Sequence, residues 1–233
     1  MKLCVIPARG GSKRIPRKNI KAFCGKPMIA YSIQAALESG CFDKVIVSTD
    51  DTEIADVAKS FGAEAPFTRP AELSNDYAGT IPAIKHAIEW FEVQGQTPTD
   101  VCCLYATAPF VKPGSIQKAY EQLQQNHAEY CFTVTSFPFP IQRAIKLTQE
   151  NRVEMFFPAY FNVRSQDLEE AYHDAGQFYW GKASAWKAEK PLFSDVASPF
   201  VLPRYLVQDI DTPEDWKRAE MMYQVLQQTG EFE

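Results

Sequence analysis

This 233-residue sequence lacks the features that mark membrane-spanning proteins, secreted proteins, cysteine or histidine metal sites and dinucleotide dehydrogenases. No apolar run reaches the length of a membrane span, and Pro7 and Arg9 interrupt the apolar stretch that a signal peptide would require. The three histidines do not cluster, the six cysteines lack the spacing of a metal site, and the Gly-x-Gly-x-x-Gly pattern is absent. We therefore expect no membrane segment, no dinucleotide dehydrogenase, and reduced core thiols in a cytoplasmic protein.

The composition and the charge distribution further restrict which functions are possible. Hydrophobic residues make up 45% and charged residues 23% of the chain, which is ordinary for a soluble globular protein, and the length suits one domain over residues 1–233. The net charge is −5, yet six cations and no acid lie between residues 9 and 21. This asymmetry predicts a local anion site and argues against general affinity for nucleic acid.

The most informative stretch is the start of the chain. Leu3–Ile6 has the apolar, β-branched character of a buried strand. The loop that follows carries Gly10 and Gly11, where the backbone can approach a ligand closely and point its amides at phosphate oxygens. The six cations of this loop are Arg9, Lys13, Arg14, Arg17, Lys18 and Lys21. Cations beside such amides favour a triphosphate site, with a solvated basic loop as the alternative.

Strand and helix patterns alternate along the first half of the chain. The predicted strands are Leu3–Ile6, Lys44–Ser48, Val101–Tyr105 and Tyr130–Thr135. The predicted helices are Lys26–Ser39, Asp51–Phe61, Thr80–Val93 and Pro113–Gln125. This alternation predicts an α/β fold with a mainly parallel sheet. Ligands of such sheets bind beyond the carboxyl ends of the strands, where the Gly11 loop, Thr49-Asp50 and Ala106–Phe110 would meet.

The alternation breaks at residues 137–171. Pro138, Pro140 and Pro158 lie in this stretch together with several aromatic side chains, and no clear helix period begins before Ser165. An excursion of this length within a compact domain is usually functional. We predict an inserted, strand-rich arm at about residues 137–171 that makes a dimer contact, with a local surface flap as the alternative.

Two carboxylates lie near the end of the chain. Gly176–Trp180 and Tyr205–Ile210 are the next predicted strands, and a capped helix begins at Thr212. Since alternate residues of a strand share a face, Asp209 and Asp211 would point the same way. Two hard oxygen ligands beside a polyphosphate site suit Mg²⁺. The alternative for Asp211 is a turn or capping role beside Thr212.

Other polar positions at predicted strand ends leave two interpretations open. Asp50 or Asp51 is predicted to cap the following helix. Contact of Asp50 with a substrate is the less favoured interpretation. Asp76 is either a helix-start residue or a nucleotide contact. The small residues of Ala106–Phe110 leave room for a ligand, and His173 lies where the arm rejoins the core.

Six segments of the chain carry a resemblance to a known family. They are IPARGGSKRIPRKN at Ile6–Asn19, STDD from Ser48, LSND with GT from Leu73, LYATAPF from Leu104, AGQFYW from Ala175 and QDIDTPEDW from Gln208. Together they resemble the acylneuraminate-type cytidylyltransferases, the CMP–sialic acid synthetases, over essentially the whole chain, and the first segment is highly specific. The resemblance implies a Rossmann-like, three-layer nucleotidyltransferase fold and a homodimer formed through an inserted arm. It also implies transfer of CMP from CTP, with Mg²⁺, to the anomeric hydroxyl of a nine-carbon 2-keto sugar acid, and release of pyrophosphate.

The resemblance further implies roles for individual residues. The catalytic residues would be Lys18, Arg9 and Asp211. The nucleotide would be bound by Ala8, Arg9, Gly10, Gly11, Ser12, Lys13, Asn19, Asp76 and Thr80. The sugar acid would be bound by Tyr105, Thr107, Gln177 and Tyr179, and the metal by Asp209 and Asp211.

One departure from the family pattern bears on the acceptor. Where many sialic acid members carry Leu-Gln-Pro-Thr-Ser-Pro-Leu-Arg, this chain has LYATAPFV at Leu104–Val111, so that Tyr105 replaces glutamine and Val111 replaces arginine. With YHDAGQFY at Tyr172–Tyr179, this pattern is most similar to the pseudaminic acid branch of the family, which builds an activated bacterial surface or flagellin sugar. The implied acceptor is pseudaminic acid; N-acetylneuraminate or another sugar acid is the alternative.

Two other functions compete with this interpretation. A nucleotide-sugar glycosyltransferase also pairs an α/β sheet with an Asp-x-Asp metal motif, but there the motif usually follows a central strand, whereas here it lies near the end of the chain. A noncatalytic nucleotide-binding module would not require both the cation loop and the carboxylate pair.

Overall fold

A six-stranded sheet forms the centre of the protein in the computed structural model, which describes residues 1–75 and 78–232. The strands in chain order are β1 (Lys2–Pro7), β2 (Ala22–Phe23), β3 (Lys26–Pro27), β4 (Lys44–Ser48), β5 (Asp100–Leu104), β6 (Tyr130–Ser136), β7 (Ile145–Leu147), β8 (Val153–Met155), β9 (Tyr172–Lys182) and β10 (Ala197–Val201). The central sheet has the order β10-β6-β9-β5-β1-β4, while β2 pairs with β3 and β7 pairs with β8.

Parallel pairing dominates the central sheet. β1 pairs in parallel with both β4 and β5, and β10 pairs in parallel with β6. β9 runs antiparallel between β5 and β6. The reversal follows from the connection, because the chain leaves β6 and returns beside it without a helical crossover. The predicted α/β fold with a mainly parallel sheet is confirmed.

Helices cover both faces of this sheet. They are α1 (Met28–Glu38), α2 (Thr52–Ser60), α3 (Thr80–Val93), α4 (Pro113–Gln125), α5 (Ala183–Lys187) and α6 (Pro213–Gln228). Cys4 and Ile6 of β1 pack in a core with α1, α2 and α4, whereas Leu3 and Val5 pack in a second core with α3 and α5. This alternation along one strand makes the three-layer arrangement. No helix in the described part of the chain has the length and apolar character to cross a bilayer.

The predicted strand Tyr205–Ile210 is wrong. The chain forms a short 3₁₀ helix at Arg204–Leu206 and then runs irregularly up to α6. β10, which the sequence did not predict, takes the edge position beside β6. Pro199 interrupts the sequence pattern of β10. An edge strand tolerates proline because no neighbouring strand on its outer side requires a backbone N–H donor. The strand alternation that was expected to align Asp209 with Asp211 therefore does not exist.

Residues 137–171 form an excursion between β6 and β9. At its base the Phe137 amide donates to the Ala171 carbonyl at 2.9 Å. Its elements are the β7–β8 hairpin and three short 3₁₀ helices, so it is less rich in strands than predicted. Phe139 is 78% exposed and Phe161 is 67% exposed. The excursion therefore presents large apolar side chains at its surface.

Candidate active site

The loop after β1 is held against the end of β4. The Ala8 amide donates to the Ser48 carbonyl at 2.9 Å, and the Gly10 amide donates to Asp50 Oδ1 at 3.0 Å. A Cβ atom on Gly10 would lie 2.6 Å from Asp51 Oδ2, so a larger residue would force one of them to move. Gly10 is thus required by close packing, and its amide is used within the protein.

Arg17 connects the same loop to the start of α2. Its guanidinium pairs with Asp51 and Glu53, and one contact joins Arg17 Nη2 to Asp51 Oδ1 at 3.1 Å. The Asp51 carboxylate also accepts from the Ile54 amide at 3.0 Å and so caps α2. The Arg17 hydrogen bond is the main cause that lowers the pKa of Asp51. One of the six loop cations therefore stabilises the loop.

Asn19 and Lys18 join the loop to distant segments. Asn19 Nδ2 donates to the Arg9 carbonyl at 3.0 Å, and the Asn19 carbonyl accepts from the first turn of α1 at 2.8 Å. Lys18 Nζ donates to the Ile210 carbonyl at 2.8 Å and lies 3.3 Å from Asp211 Oδ1. The loop, α1 and the segment before α6 therefore meet in one place.

A cleft of about 300 Å³ opens beside these contacts. The predicted site residues that border it are Arg9, Ser12, Lys13, Lys18, Asn19, Thr80, Tyr105, Thr107 and Asp211. Two further cations, Arg14 and Arg69, also border it. A concave site with five cations around it suits a polyanion such as a triphosphate.

Arg69 is a site residue that sequence reasoning missed. Its side chain is buried, and Nε donates to Ser74 Oγ at 3.0 Å while Nη2 lies 3.9 Å from Asp50 Oδ1. Burial is the main cause that lowers the pKa of Arg69; Asp50 opposes this shift and the positive charge of Arg9 adds to it. Placing two cations near each other at a partly dry site is unfavourable, and a bound anion would offset that cost. Arg69 is a single cation between Thr68 and Pro70, so the sequence gives no signal for this role.

Asp211 and Asp209 lie where the chain approaches α6. Thr212 and Asp215 form the capping box of α6, so the Asp211 carboxylate does not cap the helix and the capping alternative is wrong. Asp211 instead pairs with Arg14 Nη2 at 2.8 Å and with Lys18. Burial of the Asp209 carboxyl is the main cause that raises its pKa, and the negative charge of Asp211 is the second cause. The two carboxylates are therefore close enough to repel each other.

A second cavity of about 760 Å³ adjoins the cleft, and the two share Tyr105 and Thr107 as a common wall. Its other titratable side chains are His173, Asp174, Tyr179, Arg204, Asp209 and Arg218. The Tyr105 hydroxyl lies 3.3 Å from Thr80 Oγ1, and the Tyr105 ring centroid lies 5.2 Å from that of Tyr179. The arrangement can hold a nucleotide and a second anion side by side.

Several of the predicted site residues do not border either cavity. Ala8, Gly10 and Gly11 belong to the loop after β1 but are not among the residues that border the cleft or the second cavity. Gln177 is buried, and its Nε2 donates to the Leu206 carbonyl at 2.6 Å, so this amide group is used within the protein. Asp76 lies outside the described residues.

Comparison with known proteins connects this geometry to a family. A family model for cytidylyltransferases matches residues 3–227. The chain belongs to the cytidylyltransferase family. It is 52% identical to a pseudaminic acid cytidylyltransferase from Campylobacter jejuni, with 96% of each chain covered. It is 33% identical to a CMP-N,N'-diacetyllegionaminic acid synthase from Legionella pneumophila, with 97% of each covered.

A solved structure supports the fold. CMP:2-keto-3-deoxy-manno-octonic acid synthetase complexed with CTP superposes with a TM-score of 0.69 at 18% identity, over 97% of this chain and 99% of that one. The family resemblance expected from the six sequence segments is confirmed. This cytidylyltransferase is therefore a nucleotidyltransferase, and the glycosyltransferase and noncatalytic alternatives are set aside.

Proposed function

We propose that this chain transfers CMP from CTP to the anomeric hydroxyl of pseudaminic acid and releases pyrophosphate. The observation that carries the proposal is a cation-bordered cleft joined to a second cavity at Tyr105 and Thr107, in a chain 52% identical to an enzyme named for that activity. With the nucleotide in the cleft and the sugar acid in the second cavity, the reacting groups would meet at the shared wall. Holding two reactants in this way lowers the entropic part of the barrier.

The loop cations are proposed to act on the triphosphate. The anomeric oxygen forms a bond to the α-phosphorus while the bond from that phosphorus to the pyrophosphate oxygen breaks, so negative charge grows on the leaving group. Arg9, Lys13 and Lys18 border the cleft and would stabilise that charge without rearrangement. Ser12 and Thr80 would add hydroxyl contacts, while Asn19 holds the Arg9 backbone in place.

Asp209 and Asp211 fit a magnesium site that phosphate would complete. Their oxygens are the hard ligands that Mg²⁺ prefers, and a cation would relieve the repulsion that contributes to the raised pKa of Asp209. Among residues 1–75 and 78–232, no group of three or more metal-binding side chains occurs, so phosphate oxygens and water would supply the other ligands. When bound, Mg²⁺ supplies neutralisation of phosphate charge. Lys18 keeps the Asp211 carboxylate oriented through the 3.3 Å ion pair.

The second cavity is proposed to bind the sugar acid. Arg204 and Arg218 border it and would pair with the substrate carboxylate. Tyr105 and Tyr179 provide an aromatic wall. Pseudaminic acid has a C9 methyl group and a second acylamino group, so it is less polar than N-acetylneuraminate and better suited to such a wall.

The assembly and the cellular setting form part of the same proposal. A homodimer would cover the apolar side chains of the arm, such as Phe139 and Phe161. All six cysteines are free thiols, which suits the reducing cytoplasm. A relative that is 32% identical is named post-translational flagellin modification protein B of Campylobacter coli, and we propose flagellin glycosylation as the destination of the product.

Incubation with CTP, Mg²⁺ and a panel of 2-keto sugar acids tests the proposal. We expect a CMP-sugar detected by mass with pseudaminic acid, an equal amount of pyrophosphate, and loss of both when a chelator is added. Metal-independent turnover, or no nucleotide consumed with any acid of the panel, would contradict it.

A further inference from the structure

Two cations pair with the Asp211 carboxylate, one at each oxygen. Arg14 Nη2 lies 2.8 Å from Asp211 Oδ2, and Lys18 Nζ lies 3.3 Å from Asp211 Oδ1. The proposed magnesium site uses the same carboxylate, so the metal would have to share it with both side chains. A divalent cation placed there is repelled by each positive charge, and this repulsion weakens metal binding unless one of the two cations leaves.

The protein holds these two cations differently. Lys18 Nζ also donates to the Ile210 carbonyl at 2.8 Å, and the Lys18 side chain is only 20% exposed. The Arg14 side chain is 65% exposed, and Asp211 is its only partner among the ion pairs of the described residues. Exposed ion pairs are weak because water competes for both charges. Arg14 is therefore the cation that can leave Asp211 at little cost.

Arg14 has a second partner when a nucleotide is bound. It borders the cleft that is proposed to hold the triphosphate, together with Lys13 and Lys18. A guanidinium group can bind phosphate oxygens through two parallel N–H···O contacts, a geometry that suits arginine better than lysine. A triphosphate also carries more negative charge than one carboxylate. The nucleotide would therefore draw Arg14 away from Asp211.

We propose that Arg14 exchanges the Asp211 carboxylate for a phosphate group of the nucleotide, so that nucleotide binding makes Asp211 available to the metal. The inference rests on the proposed function, because it describes how the two ligands of that site depend on each other. Without nucleotide, Arg14 neutralises Asp211 and opposes the metal. With nucleotide, Arg14 neutralises phosphate instead. Since coupling between two ligands is reciprocal, the metal also strengthens nucleotide binding by this route.

Three variants separate this role from a general effect of surface charge. Arg14→Gln removes the charge of the side chain, whereas Arg14→Lys keeps it. Lys187→Gln is the matched control, because Lys187 also pairs with a carboxylate at 2.8 Å, that of Glu92, but borders neither the cleft nor the second cavity. Circular dichroism checks that each variant is folded.

Binding of Mn²⁺ in the absence of nucleotide tests the first half of the exchange. Mn²⁺ takes the same carboxylate, phosphate and water oxygens as Mg²⁺, and electron paramagnetic resonance measures its unbound fraction. We expect Arg14→Gln to bind Mn²⁺ at least about threefold more tightly than the unchanged protein, as befits the loss of one exposed ion pair. Arg14→Lys and Lys187→Gln should stay within about twofold of the unchanged protein.

Binding of CTP at saturating Mg²⁺, measured by calorimetry without a sugar acid, tests the second half. We expect the Kd of CTP to rise at least about threefold in Arg14→Gln, because a charge-assisted phosphate contact is lost. Lys187→Gln should leave this Kd unchanged. The same substitution would thus strengthen binding of the metal alone and weaken binding of the nucleotide, which neither a solvated arginine nor a simple phosphate ligand would do.

Each outcome decides the inference. An unchanged affinity of Arg14→Gln for either Mn²⁺ or CTP overturns it, as does an equal gain in Mn²⁺ affinity in Arg14→Lys or Lys187→Gln. If the unchanged protein binds Mn²⁺ too weakly to detect, Arg14→Gln must still bind it measurably, and failure to do so overturns the inference. If Arg14→Gln does not fold, Arg14→Ala is measured in its place. An unchanged protein that binds no CTP in the presence of Mg²⁺ overturns the proposed function, and the inference with it.

Discussion

Lys18 and Asp211 are 193 residues apart in the sequence, yet Lys18 Nζ lies 3.3 Å from Asp211 Oδ1. The same ammonium group donates to the Ile210 carbonyl at 2.8 Å. This contact joins the loop after β1 to the segment before α6. In the proposed reaction it places a phosphate-binding cation and a metal-binding carboxylate on the same side of the cleft.

Lys18→Ala is expected to lower kcat/KM for CTP by at least about tenfold, because it removes a cation from the growing charge of the leaving group. Lys59→Ala is the control, since Lys59 is an exposed lysine of α2 that pairs only with Asp56 among the ion pairs of the described residues, at 3.7 Å. Initial-rate measurements of pyrophosphate release check both variants. Equal, small losses in the two would mean that the loop is merely a charged surface.

Asp209→Asn and Asp211→Asn should each lower kcat by at least about tenfold, on the order of 1.4 kcal/mol in activation free energy. Each change removes a negatively charged oxygen ligand, so the Mg²⁺ concentration for half-maximal rate should rise as well. A magnesium titration of the rate measures both effects. Full activity at low Mg²⁺ in either variant would remove that residue from the metal site.

Gly10→Ala should lower the free energy of unfolding by about 1–3 kcal/mol. The added Cβ would lie 2.6 Å from Asp51 Oδ2, and Asp51 cannot move freely because it caps α2 and pairs with Arg17. Gly11→Ala is the matched control, since a Cβ there meets no atom within 4 Å. Urea unfolding compares the two variants, and equal stabilities would refute the packing argument for Gly10.

Phe161→Asp is expected to convert a dimer into a monomer, because it places a charge among the apolar side chains of the arm. Phe193→Asp is the control: Phe193 is 71% exposed, against 67% for Phe161, but lies outside the arm. Sedimentation at micromolar concentration should give a dimer for the unchanged protein and for Phe193→Asp. A monomeric unchanged protein would rule out the proposed dimer.

Local sequence signals predicted much of the fold. The bounds of α3 and α4 agree with the predicted helices Thr80–Val93 and Pro113–Gln125, since glycine before one and proline at the start of the other mark where they begin. β4 was also predicted at its full length. β10 was missed because Ser198 and Pro199 interrupt the apolar pattern that would predict a strand. Its pairing with β6 depends on tertiary structure.

The site was predicted less completely, because several of its contacts are long-range. Asp209 and Asp211 do lie near each other, but the strand that was expected to align them is absent. Arg69 borders the cleft because the loop after α2 runs alongside the end of β4, where the Arg69 amide donates to the Thr49 carbonyl at 2.8 Å. Gln177 shares the strand of Tyr179 but turns its amide to the Leu206 carbonyl, which no sequence pattern indicates.

The most direct test of the account is a competition between pseudaminic acid and N-acetylneuraminate for limiting CTP, with the two CMP-sugars measured by mass. Tyr105 and Tyr179 form a wall that suits the less polar acid, so CMP-pseudaminic acid should exceed CMP-N-acetylneuraminate by at least about tenfold. A product dominated by CMP-N-acetylneuraminate would contradict the proposed acceptor, and the absence of both products would contradict CMP transfer to either acid.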